Sequence, residues 1–97
     1  MKAFVVFVNG ERLCTAGIGD NGVLSAIVNW VGRSDEAGDL SMLLGGLDSN
    51  SDETVTYPTP SLRVGDEVSI LIVDTDHVDP PERRSRNRPP IDAELGA

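Results

Sequence analysis

Cysteine, histidine and aromatic residues are nearly missing from this sequence, and each shortage removes a class of function. Cys14 is the single cysteine. No intrachain disulfide can form, and a lone thiol in the strand-like run Leu13-Cys14-Thr15 reads as a small buried hydrophobe. His77 is the single histidine, so a nucleophilic thiol would have one imidazole in the whole chain to serve as its base. Aromatic side chains make up 4% of the 97 residues, which leaves Val, Ile and Leu to build the core and tilts the chain toward strand. Long apolar runs are also missing: nothing approaches the roughly 18 residues of a membrane-spanning helix. The apolar stretch at residues 3–8 is shorter than a secretory core and runs directly into Asn9-Gly10. The expectation is a cytoplasmic protein with no membrane partner.

Positive charge is scarce where the fold is expected. Residues 1–79 hold four basic side chains (Lys2, Arg12, Arg33, Arg63) against thirteen acidic ones, a balance of −9, whereas residues 80–97 hold four against three, a balance of +1. Such an acidic body repels phosphate backbones, so nucleic acid is not expected as its partner. A basic protein, or solubility alone, suits it better. At 97 residues one domain is available, and a chain this short buries only about 60–65% of its unfolded surface.

What the sequence does contain is a series of strand and turn signals. Asn9-Gly10, between KAFVVFV and ERLCTAGI, carries the two positive-φ residues of a type I′ turn and predicts a β-hairpin over residues 2–17. The stretch VLSAIVNWV, residues 23–31, fits two periods. At period two, Leu24, Ala26, Val28 and Trp30 share a face; at period 3.6, Leu24, Ile27, Val28 and Val31 form a stripe. Its β-branched content favours a strand, and Trp30, on the wholly apolar face, is expected to pack in the core, with an interface anchor as its sharper role. Residues 39–48 read as a further strand, with Gly45-Gly46 marking a bulge or a close backbone approach. Residues 53–57 are a short edge segment ended by Pro58 and Pro60. Residues 66–74 read as a last strand, with Val68, Ile70 and Ile72 on one face and Leu71 and Val73 on the other, both faces covered.

Three short patterns invite a chemical reading. Gly17-Ile18-Gly19-Asp20-Asn21-Gly22 satisfies the G-x-G-x-x-G form of a dinucleotide loop. That loop belongs between a parallel strand and a helix, and here it follows the second arm of an antiparallel hairpin, so a glycine-rich turn is expected. Asp48, Asn50 and Asp52 open like a calcium loop, but Glu53 stands where the required Gly would be and Thr59 where the bidentate Glu would be. Asp74, Asp76, His77 and Asp79 crowd the end of the last strand, yet alternate faces of an extended chain keep them apart. No catalytic, metal or cofactor residues are assigned, and the chain is expected not to be an enzyme.

Two resemblances follow from these residues. FVNGE and LRVGDEVSILIV resemble the first hairpin and last strand of β-grasp sulfur-carrier proteins, which would imply an α+β fold with a helix at 23–31. The carriers' terminal Gly-Gly is replaced by Gly96-Ala97, so the carrier chemistry is not implied. VNGERLCTAGIGDNGVLSAIVNWV, LGGLDS and VGDEVSILIVDTDHVDPP together resemble short uncharacterised bacterial proteins of planctomycete type across most of residues 4–81. That resemblance implies a self-standing domain and carries no site residues.

The sequence therefore predicts an all-β fold, a small antiparallel sandwich or barrel of about five or six strands over residues 1–79, followed by a Pro/Arg-rich flexible arm over residues 80–97, with the β-grasp arrangement as the alternative. The expected function is a non-enzymatic protein-binding or interaction module. Self-association through the arm and small-molecule binding or catalysis are the alternatives. The candidate interaction residues are Trp30, then Asp74, Asp76 and His77, and in the arm Arg83, Arg84, Arg86 and Arg88.

Overall fold

The computed structural model describes residues 1–34 and 36–87. Among them are seven strands and no helix: β1 (Lys2–Val8), β2 (Glu11–Ala16), β3 (Gly22–Arg33), β4 (Glu36–Asp48), β5 (Glu53–Thr56), β6 (Val68–Asp74) and β7 (Arg83–Arg86). They form two antiparallel sheets, one ordered β2-β1-β6 and the other β3-β4-β5-β7. The arrangement is a sandwich. The α+β alternative is not adopted, because residues 23–31 lie inside β3, paired to β4 without interruption from Val23↔Leu47 to Val31↔Asp39.

The first hairpin forms as its turn chemistry dictates. Asn9 and Gly10 have φ of 53° and 81°, the left-handed pair that a type I′ turn needs and that Asn and Gly adopt at least cost. The Asn9 side chain then ties the turn to the approach of β6. Its oxygen accepts the Glu67 N–H at 3.0 Å and its amide donates to the Asp66 carboxylate at 3.0 Å.

The glycine-rich segment after β2 is not a hairpin turn. It carries the chain from the first sheet to the second, since β2 and β3 are not neighbours. Ile18, in its middle, is buried in the core. The segment ends at Gly22, whose φ is 144° and where any Cβ would run into the Leu47 carbonyl oxygen. At Gly45-Gly46 the register runs on unbroken, and the close-approach reading is the one realised: added Cβ atoms would strike the Val55 and Val23 carbonyl oxygens.

Between the sheets lies a small aliphatic core. Val6, Cys14, Ala16 and Ile18 meet Met42, Leu44, Val55, Tyr57 and Leu62. Tyr57 is the largest of the fully buried side chains. Its hydroxyl accepts the Gly17 N–H at 3.1 Å and lies 2.9 Å from the carbonyl oxygens of both Gly17 and Asp79, either of which can take its proton. One phenol thus ties together the crossing after β2, the chain beyond β6 and the segment after β5.

Two expectations about covered faces are overturned, for the same reason. Strand β6 is the edge of a three-stranded sheet, and Ile70, Leu71 and Ile72 are exposed rather than covered. Trp30 is 69% exposed instead of packed in the core. Strands β3 and β4 have 12 and 13 residues, while β1 and β2 have 7 and 6. At about 3.3 Å per residue the long hairpin reaches about 40 Å against about 23 Å for β1. Yet Leu40, the β4 partner of Trp30, packs against the core, so it is the edge position of β3, like that of β6, that leaves Trp30 outside.

The sequence reading separated residues 80–97 from the body. Within that stretch Arg83–Arg86 form β7, paired to β5 from Thr56↔Arg83 to Glu53↔Arg86.

Candidate functional site

The residues singled out from the sequence fall in three separate places. Trp30 lies on the projecting part of β3, its ring laid over Gly32 so closely that a Cβ there would meet the indole at 2.7 Å. Asp74, Asp76 and His77 follow β6. Lys2 donates to Asp74 at 2.8 Å and the terminal ammonium lies 3.2 Å from it, and together these hold the Asp74 carboxyl below the usual carboxylate range. The His77 N–H donates to the Thr75 hydroxyl at 3.1 Å, and the Asp76 and His77 side chains are exposed. On the other sheet, Arg83 and Arg86 are exposed, while Arg84 reaches Asp48 at 3.2 Å and Glu53 at 3.5 Å within its own chain. Arg88 lies outside the described residues.

The patterns considered for chemistry are occupied structurally. Asp48 accepts the Asn50 N–H at 3.1 Å as well as Arg84, so the calcium-like segment is a β4–β5 turn with an internal ion pair. Asp79 accepts the Thr15 N–H at 2.8 Å and Arg12 at 2.7 Å, and the Thr15 amide leads in holding its carboxyl low. Burial pushes the Cys14 thiol up, away from the thiolate form that reacts in cysteine chemistry. Among the described residues no three His, Cys, Asp or Glu side chains converge as metal ligands.

The distinctive surface is the side of the sandwich where the edge strands β3 and β6 face each other. Phe4, Val6 and Val8 on β1 point inward and pair with Ile72, Ile70 and Val68 of β6. Those β6 residues therefore belong to the inner face. Even so, Ile70 is 43% and Ile72 70% exposed. The inner face of β3 carries Leu24 and Ala26, half-buried against the core, and then Val28 and Trp30, which are exposed. An open cleft of about 450 Å³ runs between the two strands, lined by Phe4, Leu24, Ser25, Ala26, Ile27, Ile70 and Ile72. A larger cavity of about 630 Å³ continues it past Phe4 and Leu24 toward Lys2, Asp20 and Asp74.

Both strands bordering the cleft are sheet edges, so one side of each backbone has no ladder partner among the described residues. Edge strands are normally blunted by charge, proline or bulges. Residues 22–32 and 68–73 contain no Asp, Glu, Lys, Arg or Pro. Sequence reasoning found Trp30 but missed Val28, Ile70 and Ile72. The signal it could have used was the absence of charge across two strand-length segments.

No protein-family model, no curated protein and no solved structure matches this chain.

Proposed function

We propose that this chain is a non-enzymatic protein-interaction module whose working surface is the open side of the sandwich between β3 and β6. One observation carries the reading: inward-facing apolar side chains, Val28, Trp30, Ile70 and Ile72, are left uncovered beside two strand edges free of charge and proline. Apolar surface left in water forgoes about 25 cal/mol per Å², and an unpaired edge next to it offers backbone hydrogen bonds to an added strand. Among the described residues, no cluster of metal-ligating side chains lies there. The acidic body serves a second purpose, keeping the chain soluble and steering basic groups toward it.

The cavity at Lys2, Asp20 and Asp74 supports a second reading. Its volume of about 630 Å³ is within the range of small-molecule sites, and it joins ionic groups to the apolar wall of Phe4 and Leu24. A thermal-shift screen of small amphipathic acids and amines tests it, with stabilisation abolished by Lys2→Ala as the supporting result.

The interaction reading is tested by affinity capture with the full chain and with Ile72→Lys, each at low and high salt. Partners held through the apolar edge persist in high salt and are lost from Ile72→Lys. Partners that salt removes and Ile72→Lys retains place the binding on the acidic surface and overturn the reading.

A further inference from the structure

We propose that the occupant of this open side is a second copy of the chain, joined edge to edge through β3 about a two-fold axis at Ile27. The inference deepens the interaction reading and rests on it. Its starting point is the sequence of β3 itself. Read outward from Ile27 in both directions, Ala26 answers Val28, Ser25 answers Asn29, Leu24 answers Trp30, Val23 answers Val31 and Gly22 answers Gly32. Apolar meets apolar, polar meets polar and glycine meets glycine at every step. Two antiparallel copies of β3 centred on Ile27 pair without one mismatched position.

The axis also keeps the faces in order. Residues directly opposite each other in an antiparallel pair point to the same face. Leu24, Ala26, Val28 and Trp30 of both copies therefore lie on one side, the side that carries the first sheet. The result is a continuous eight-stranded sheet, with no new edge created at the junction.

The overhangs are complementary. In each copy the edge strand β3 leaves the inner-face side chains Val28 and Trp30 exposed although their β4 partners Met42 and Leu40 pack in or against the core, and the edge strand β6 leaves Ile70 and Ile72 exposed. Antiparallel pairing sets the partner's Trp30 opposite Leu24 and the partner's Val28 opposite Ala26. Leu24 and Ala26 line the cleft together with Phe4, Ile70 and Ile72. Each copy's uncovered strand end thus closes the other copy's open cleft. These four inner-face side chains expose on the order of 500 Å² per copy, which the twelve-residue backbone edge extends toward the roughly 800 Å² per partner of a stable interface.

Charge permits the contact. The chain's net charge is −8, but residues 22–32 carry none of it, and exposed charges farther apart than about 8 Å are screened at physiological salt.

The test uses sedimentation equilibrium of the full chain, Ile27→Lys and Ile27→Glu, with circular dichroism confirming that each variant keeps its strand content. Ile27 is exposed and sits opposite its own copy across the axis, so either variant sets like charges face to face, and dimerisation weakens by about 100-fold. Mixing the two variants in equal amounts restores a dimer, because Lys then faces Glu. Trp30 emission shifts to shorter wavelength as wild-type dimer forms, and stays at long wavelength in each variant alone. A wild-type chain that stays monomeric into the high micromolar range overturns the dimer, while capture of another protein through the same edge would leave the interaction module standing. A dimer untouched by Ile27→Lys and Ile27→Glu but broken by Ile72→Lys overturns the β3 seam and moves it to β6.

Discussion

The two sides of this sandwich are made from the same residue types and reach opposite outcomes. On the closed side, Tyr57 and Leu62 fill the gap, and the Tyr57 hydroxyl binds chain segments from both sheets. On the open side, Ile70 and Ile72 border an open cleft opposite Leu24 and Ala26, and Val28 and Trp30 are exposed beyond it on β3. The difference is not hydrophobicity. It is what fills the gap: residues 57–62 bury Tyr57 and Leu62 on one side, whereas on the other the crossing after β2 leaves a cavity lined by Ile18, Gly19 and Asp20. Exposure on this side follows the edge strands: Met42 and Leu40 of β4 pack in or against the core, while their β3 partners Val28 and Trp30 do not.

The contrast can be broken from the closed side first. Tyr57→Ala removes the largest fully buried side chain and should cost about 3–5 kcal/mol, a large part of the stability of a domain this size; urea unfolding measures it. Tyr57→Phe keeps the ring and removes the hydroxyl, leaving the Gly17 N–H without its acceptor. A loss of about 1–3 kcal/mol is expected, visible as a lower Tm at unchanged m-value. On the open side, Ile72→Lys should change the stability of dilute protein by no more than about 0.5 kcal/mol, while abolishing capture of partners. Equal destabilisation by Tyr57→Phe and Ile72→Lys in dilute protein would erase the distinction between the two sides.

The smallest effect per residue comes from acid. The carboxyls of Asp66, Asp74 and Asp79 all sit below their ordinary range: Asp66 through the Asn9 amide, Asp74 through Lys2 and Asp79 through the Thr15 N–H. Carboxyls lowered by folding contribute stability above their unfolded pKa of about 4 and lose it as pH falls through their folded values. The terminal ammonium is raised, chiefly by Asp74, so its contribution is present below about 8 and fades as pH climbs beyond. Thermal unfolding across pH should show a plateau between about 5 and 7 with a gradual decline toward pH 3. An Asn9→Ala variant should flatten part of that decline, because the amide that lowers Asp66 is gone.

Local chemistry was readable in the sequence wherever one dipeptide or one period decided the outcome. Asn9-Gly10 specified its turn, and the β-branched residues of 23–31 made a strand. Gly45-Gly46 marked the place where neighbouring carbonyls crowd the chain. What could not be read was which strand would lie across from which. The faces of β6 are apolar on both sides, and that pattern is the same for a strand buried between layers and for an edge awaiting one. Trp30 was misplaced for the same reason: its face was right, but its cover depended on β3 lying at the edge of its sheet, while Leu40 opposite it on β4 packs against the core. Arg83–Arg86, polar throughout, gave no periodic sign of the strand they form, since the pairing there runs through backbone bonds and the Arg84 contacts to Asp48 and Glu53.

Strand β1 stands between β2 and β6, its nearest and its most distant partner along the chain. The pairing with β2 closes over the two residues of one turn, whereas Phe4↔Ile72 and Lys2↔Asp74 join opposite ends of the body. During synthesis the first hairpin is complete long before Val68 appears, and at about 5–20 residues per second one flank of Phe4, Val5 and Val6 waits for several seconds. The long-range closure also sets the clock for refolding, expected in the millisecond-to-second range of β topologies rather than in microseconds. The nascent chain thus has its own period of vulnerability, at a strand that the finished fold places in the middle of a sheet.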